Sequence, residues 1–272
     1  MKAKKSLGQH FLKSERALST IVQAGEVSKK DVVLEIGPGQ GALTSKLLET
    51  GARVIAVEKD DSLFELLSKK FGKETASGQL TLIHDDILKF IENSKLKIEN
   101  YKLIANIPYN ITGAILKKFL ETNYQPKKMV LLVQKEVAER IAGKPLGGST
   151  SKWGKESILS ISVKAYGRPR YVETVKAGSF VPMPKVDSAI IAIEDISKDF
   201  FTDFTEKQFF DMVRTGFKSK RKKLSSNLSV MFSKNRVREA FQKLELDDNL
   251  RAEDIDVETW QKLAKDLLVY KE

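Results

Sequence analysis

The chain predicts an α/β fold: a doubly wound, mainly parallel sheet with helices on both faces, followed by a small all-α domain. Three observations carry this reading. From about residue 14 to 194, short β-branched apolar runs alternate with segments of helical spacing. The runs are continuously apolar, as strands covered on both faces require. Beyond about residue 200, helical periodicity persists and strand-like runs stop. The boundary falls within 195–205, giving domains of 1–198 and 199–272.

In chain order, "SERALSTIVQAG" reads as a helix with Ser14 as its N-cap. "DVVLEI" (31–36) is a strand broken by "GPGQG", and "ALTSKLLET" (42–50) is the helix after it. "RVIAVE" (53–58) is a second strand, followed by the helical "DSLFELLSKKF". "QLTLIH" (79–84) is a third and "YKLIAN" (101–106) a fourth, the latter followed by the helical "ITGAILKKFL". "KMVLLVQ" (128–134) and "KEVAERIAG" form another strand–helix pair. A Gly/Ser-rich loop (143–154) and a helical "KESILSISVKAYG" precede strands at "YVETVKA" (171–177) and "AIIAIE" (189–194). "TEKQFFDMVRTGF", "KNRVREAFQKL" and "VETWQKLAKDLLV" supply the terminal helices.

Composition narrows the chemistry. The 272 residues contain no cysteine and two histidines, His10 and His84. Disulfides, thiolate metal sites and thiol catalysis are excluded, and no metal is expected. No apolar run approaches the roughly 20 residues of a membrane span, and the basic N-terminus lacks a secretory apolar core. A cytoplasmic monomer with no membrane association is expected. The formal charge is +11 and it is segregated. Residues 218–238 hold eight basic residues and no acid, whereas acids gather at 247–258. Such a stretch suits a polyanionic partner, because cations displace the counterions of phosphates. Lys218, Lys220, Arg221, Lys222 and Lys223 are its leading phosphate contacts.

Ligands of doubly wound sheets bind outside the carboxyl ends of the strands. In this chain those ends carry "EIGPGQG", Glu58, "HDD" and "NIPYN". Gly37, Gly39 and Gly41 permit close backbone approach, but their spacing differs from the dinucleotide fingerprint. Glu58 can accept the hydroxyls of a ribose, and Asp85 or Asp86 can accept from an adenine amino group. Together they suit an adenosine cofactor without a pyrophosphate.

"EIGPGQGALT", "VIAVEKD", "DDIL" and "NIPYN" resemble the successive motifs of Rossmann-like S-adenosylmethionine (SAM) methyltransferases acting on adenine amines. "KKSLGQHFL" (4–12), "LLVQKEVAERIAG" and "FVPMPKVDSA" narrow the resemblance to the bacterial small-subunit rRNA adenine dimethyltransferases, the KsgA family. It runs from about residue 4 to the end. It implies a SAM cofactor and, as substrate, two adjacent adenosines near the 3′ end of 16S rRNA in an assembling 30S particle. Gly37 is then assigned to the methionine end of the cofactor, with Gly39 and Gly41 shaping the loop, Glu58 to the ribose and Asp86 to the adenine. Asp85 stays an alternative reader. His10 and Leu12 lie where an N-terminal segment covers the cofactor; many relatives carry Asn in place of His10, so its contact is expected through the backbone. The loop "KPLGGSTSKWGKE" departs from the family, with Trp153 and Lys155 near positions usually held by Tyr and Arg.

The amino nitrogen of adenine is a poor nucleophile because its lone pair is delocalised into the ring. Two acceptors on its two N–H bonds draw it toward tetrahedral geometry. The Asn106 side-chain oxygen and the carbonyl of Ile107 or Pro108 are the expected pair, with Pro108 stiffening the turn. Tyr109 and Phe180 are the expected stacking faces, a contact worth about 1–3 kcal/mol per base.

Overall fold

The structure, a computed structural model, describes residues 9–92, 98–143 and 155–269. The N-terminal basic cluster, the start of "KKSLGQHFL" and Trp153 lie outside the described residues. Two compact units emerge: Met1–Pro145 with Arg168–Ile196, and Leu146–Gly167 with Ser197–Glu272. The single boundary expected at 198/199 is therefore incomplete. The chain visits the second unit once before the sheet is finished, then leaves the first unit for good at 196.

The first unit opens with a two-residue strand β1 (Phe11–Leu12) and helix α1 (Glu15–Ala24), whose N-cap Ser14 accepts from Ala17 N–H. Five strand–helix steps follow: β2 (Val32–Ile36) with α2 (Ala42–Glu49), and β3 (Arg53–Glu58) with α3 (Asp61–Lys70) and α4 (Gly72–Ala76). β4 (Leu80–His84) precedes α5 (Ile87–Glu92), β5 (Tyr101–Asn106) precedes α6 (Thr112–Glu121), and β6 (Lys128–Gln134) precedes α7 (Lys135–Ala142). After α8 (Ile158–Lys164) in the second unit, the sheet resumes with β7 (Arg168–Val175), the short β8 (Phe180–Val181) and β9 (Ser188–Glu194).

The sheet runs β4-β3-β2-β5-β6-β9-β7. The β2 to β6 pairings are parallel, and β9 is antiparallel to both β6 and β7. β2 lies between β3 and β5, so the strand order reverses there and a cleft opens outside their carboxyl ends. Both faces are covered. Val33, Val54 and Val130 pack with Leu18 and Ile21 of α1 and Leu47 of α2, while the alternate residues Leu34, Leu103 and Leu131 are fully buried as well. Each such side chain contributes about 1.5–3 kcal/mol of burial, which holds the strand ends in fixed register.

The second unit is helical: α8, then α9 (Glu206–Gly216), α10 (Leu224–Leu228), α11 (Lys234–Lys243) and α12 (Val257–Leu268). A capping box of Thr205 and Gln208 starts α9, and Asp256 caps α12 by accepting from Thr259 N–H. Its core centres on Phe209, Phe241 and the fully buried Trp260. Gly216 lets α9 and α12 approach, since a Cβ there would lie 2.4 Å from Trp260 Cη2. Tyr166, just after α8, stacks near Phe210 and Phe201 and donates its hydroxyl to Glu206. These contacts tie the residue after α8 to α9 and the turn before it within this unit. Among the described residues no helix is long and apolar enough to cross a membrane.

Candidate active site

A cavity of about 310 Å³ opens at the strand reversal, within the range of small-molecule sites. Its wall includes the loop after β2 (Gly37, Pro38, Gly39), the end of β3 (Glu58, Lys59), Asp85 and Asp86 after β4, and Asn106 to Ile111 after β5. Gln9, His10 and Phe11 close it from the N-terminal side.

The glycine loop is built for close approach. Gly37 has φ +62° and donates its N–H to the Val57 carbonyl at 2.9 Å, which fastens the loop to β3. The space a Gly37 side chain would fill is clear of protein within 4 Å, so the backbone itself forms the cradle. At Gly39 a Cβ would press within 3.1 Å of Phe11, and at Gly41 within 2.5 Å of Phe71. Gly41 therefore shapes the start of α2 rather than the cavity wall.

Glu58 is 5% exposed. One carboxylate oxygen accepts from Lys59 and Asp60 N–H, each at 2.9 Å, and the other from Gly39 N–H at 3.1 Å. Burial pushes its pKa up, and these three donors oppose the shift. The Gly39 bond ties the acid to the glycine loop. Next to it, Asp85 accepts from Asp86 N–H at 2.8 Å. Asp86 accepts from Leu88 N–H at 3.0 Å and from Lys59 Nζ at 2.8 Å. Burial raises the Asp86 pKa, but the Lys59 ammonium and the Leu88 N–H outweigh it and hold the carboxyl below its usual range. Two acids and an open glycine backbone on one wall fit an adenosine with a short, phosphate-free extension.

Asn106 ends β5, and its Nδ2 donates to the His10 carbonyl at 3.1 Å. Among the described residues nothing donates to its Oδ1, which remains an acceptor at the cavity. Pro108 turns the chain into a short helical turn over Tyr109–Ile111. Its carbonyl already accepts from Ile111 N–H at 3.2 Å. Tyr109 is half-buried and its hydroxyl shares a 2.6 Å hydrogen bond with Ser188, while its ring stacks against His10 at 5.9 Å.

A model of the family described as ribosomal RNA adenine dimethylase matches residues 1–268. The chain belongs to this family. It is 41% identical over 97% of its length to "Ribosomal RNA small subunit methyltransferase A" of Dehalococcoides mccartyi, covering 88% of that protein. A protein of the same name from Clostridium acetobutylicum is 37% identical, with 97% of this chain and 93% of that one covered. Among solved structures, a dimethyladenosine transferase from Plasmodium falciparum matches at 28% identity and TM-score 0.75, over 93% of this chain and 96% of that one. The 23S rRNA methyltransferase ErmE shares the fold at 24% identity and TM-score 0.74, over 94% and 99% of the two chains.

Within this dimethylase fold, most residues expected from sequence reach the same cavity: His10, Gly37, Gly39, Glu58, Asp85, Asp86, Asn106, Pro108 and Tyr109. Two others do not. Leu12 is 5% exposed and Phe180 2%; they pair across β1 and β8 and pack into the core. The apolar "FVPMP" context is the signal for that burial, so Phe180 presents no stacking face in this arrangement. Sequence reasoning missed Phe11, Lys59 and Leu63 on the wall. Lys59 was findable as the neighbour of Glu58 in the same loop; Phe11 reaches the cavity only through pairing with Val181.

Lys218, Lys220, Arg221, Lys222 and Lys223 are all exposed, in the turn between α9 and α10. The Asn227 amide pins that turn by donating to the Gly216 and Ser219 carbonyls at 2.7 and 3.1 Å. None of the five cations pairs with a carboxylate among the described residues.

Proposed function

We propose that the chain uses SAM to dimethylate the N6 amines of two adjacent adenosines near the 3′ end of 16S rRNA, in an assembling 30S particle. Membership of the rRNA adenine dimethylases and full-length similarity to small-subunit methyltransferases support the substrate. The observation that carries the chemistry is Asn106: its Nδ2 is committed to a carbonyl, which leaves Oδ1 to accept from the target amine.

SAM, when bound, supplies an electrophilic sulfonium methyl. The chain's residues do the rest. Gly37 provides the cradle for the methionine end, Glu58 accepts the ribose hydroxyls, and Asp86, kept ionised by Lys59, accepts from the cofactor's adenine. Asn106 Oδ1 and a carbonyl of the Ile107–Pro108 pair accept from the two N–H bonds of the target amine. The neutral amine is thereby aimed at the methyl without prior deprotonation, its N–H proton leaving to solvent once the new N–C bond forms, and catalysis is mostly positioning and preorganised dipoles. Tyr109 offers the stacking face. The exposed cations of the 218–223 turn hold rRNA phosphates.

The test is incubation with labelled SAM and either immature small subunits or protein-free large-subunit rRNA, followed by mapping of methylated adenosines. Two adjacent dimethyladenosines in 16S rRNA are expected. Label confined to large-subunit rRNA overturns the substrate, and RNA binding without SAM binding identifies a non-catalytic assembly factor.

A further inference from the structure

We propose that His10 is a positioning residue for the target adenine, fixing which way round the Asn106 amide points and bracing Tyr109. The inference rests on the function proposed above. An amide side chain has two ends of nearly the same shape, one a donor and one an acceptor. Turned over, Asn106 presents an NH₂ to the substrate amine, and donor faces donor. Shape does not prevent this; only the partner at the far end does. That partner is the His10 carbonyl, 3.1 Å from Nδ2, and a carbonyl only accepts.

The carbonyl is useful because the strap that carries it is held in place. His10 Nδ1 lies 2.8 Å from the Pro182 carbonyl, so this nitrogen carries the proton and donates. Phe11 and Leu12 pair with Val181 and Phe180, and Lys13 N–H donates to the Ser179 carbonyl at 2.8 Å. The imidazole lies near-parallel to Tyr109, at 20° and 5.9 Å. Tyr109 is fixed at its other end by Ser188. One residue thus touches both the amide that grips the amine and the ring against which the base stacks, and it directs the base to the ring's other face.

The experiment compares the full-length chain with His10→Ala and His10→Asn. An asparagine amide reaches the place of Nδ1 and keeps the Pro182 bond, but has no ring. Three quantities are read: kcat on immature small subunits, SAM affinity by calorimetry, and exchange of the Asn106 side-chain NH₂ protons with water by ¹⁵N NMR. In His10→Ala, kcat falls about tenfold, SAM affinity changes less than about threefold, and Asn106 NH₂ exchange accelerates. His10→Asn restores slow exchange and most of kcat. Unchanged kcat in His10→Ala, an equal loss of SAM affinity, or fast Asn106 exchange in the unaltered chain overturns the proposal. If His10→Ala does not fold, fast exchange in His10→Asn overturns it and slow exchange supports it. Failure of the unaltered chain to methylate any rRNA sinks the functional reading instead, while the amide exchange still decides this one.

Discussion

Under the proposed function, the cavity and the 218–223 turn meet their ligands by opposite means. At the cavity, charge is buried and answered: Glu58 takes three backbone N–H groups and Asp86 a lysine and a backbone N–H. At the turn, five cations stand exposed with no carboxylate partner among the described residues, and the backbone beneath them is pinned by Asn227. The first arrangement fixes the position of single atoms, so one substitution has a large, local effect. The second presents charge density, so its members act additively and salt weakens them together.

Four variants probe that contrast. Asn106→Ala is expected to lower kcat about 10²–10³-fold, the cost of removing one preorganised polar group, with SAM affinity by calorimetry nearly unchanged. A loss confined to SAM affinity would move Asn106 from the target to the cofactor. Glu58→Ala is expected to weaken SAM binding by on the order of 10–100-fold, since bonds to a charged group are worth about 1.5–3 kcal/mol. Unchanged affinity would break the ribose assignment. Replacing Lys220, Arg221 and Lys222 together by Ala should reduce the slope of log affinity against log salt by roughly 2–3, with kcat at saturating RNA retained. An unchanged slope would remove this turn from the RNA interface.

The last of the four sharpens the contrast through pH. Glu35, on β2 behind the glycine loop, is fully buried and accepts from Thr44 Oγ1 at 2.7 Å. Burial pushes its pKa from 4.5 up to about 8. Between those values the folded chain holds a proton that the unfolded chain releases. Its contribution is therefore complete below about pH 4.5 and is lost as pH rises toward 8. Glu35→Gln keeps the acceptor for Thr44, so its Tm should exceed that of the unaltered chain at pH 8 by roughly 10 °C, the gap closing as pH falls toward 5. A constant Tm difference across this range would show that Glu35 does not titrate on unfolding.

Legibility in the sequence followed the range of the forces. Strands buried on both faces are readable from their apolar runs alone, helix α1 from its cap at Ser14 and α9 from its periodicity. α4, α5 and α10 were missed because five or six residues are too short to show a period. β7 begins at Arg168 rather than 171 because Pro169, which lacks a donor, is tolerated on an edge strand. The cavity residues were readable because topology dictates where strand ends meet. The burial of Phe180 and the cavity contact of Phe11 were not readable because both depend on the β1–β8 pairing, which joins segments far apart in the chain.

The early excursion of residues 146–167 has a practical consequence for anyone dividing the molecule. A fragment stopped at 198 would retain α8 and Tyr166 but lose Glu206, Phe201 and Phe210, stranding an apolar helix in water. Cutting at 145 would strip β7 and β9 from the sheet and bare the flank of β6. A sheet unit prepared for study should instead replace the excursion by a linker from Gly143 to Arg168 and end at Ile196.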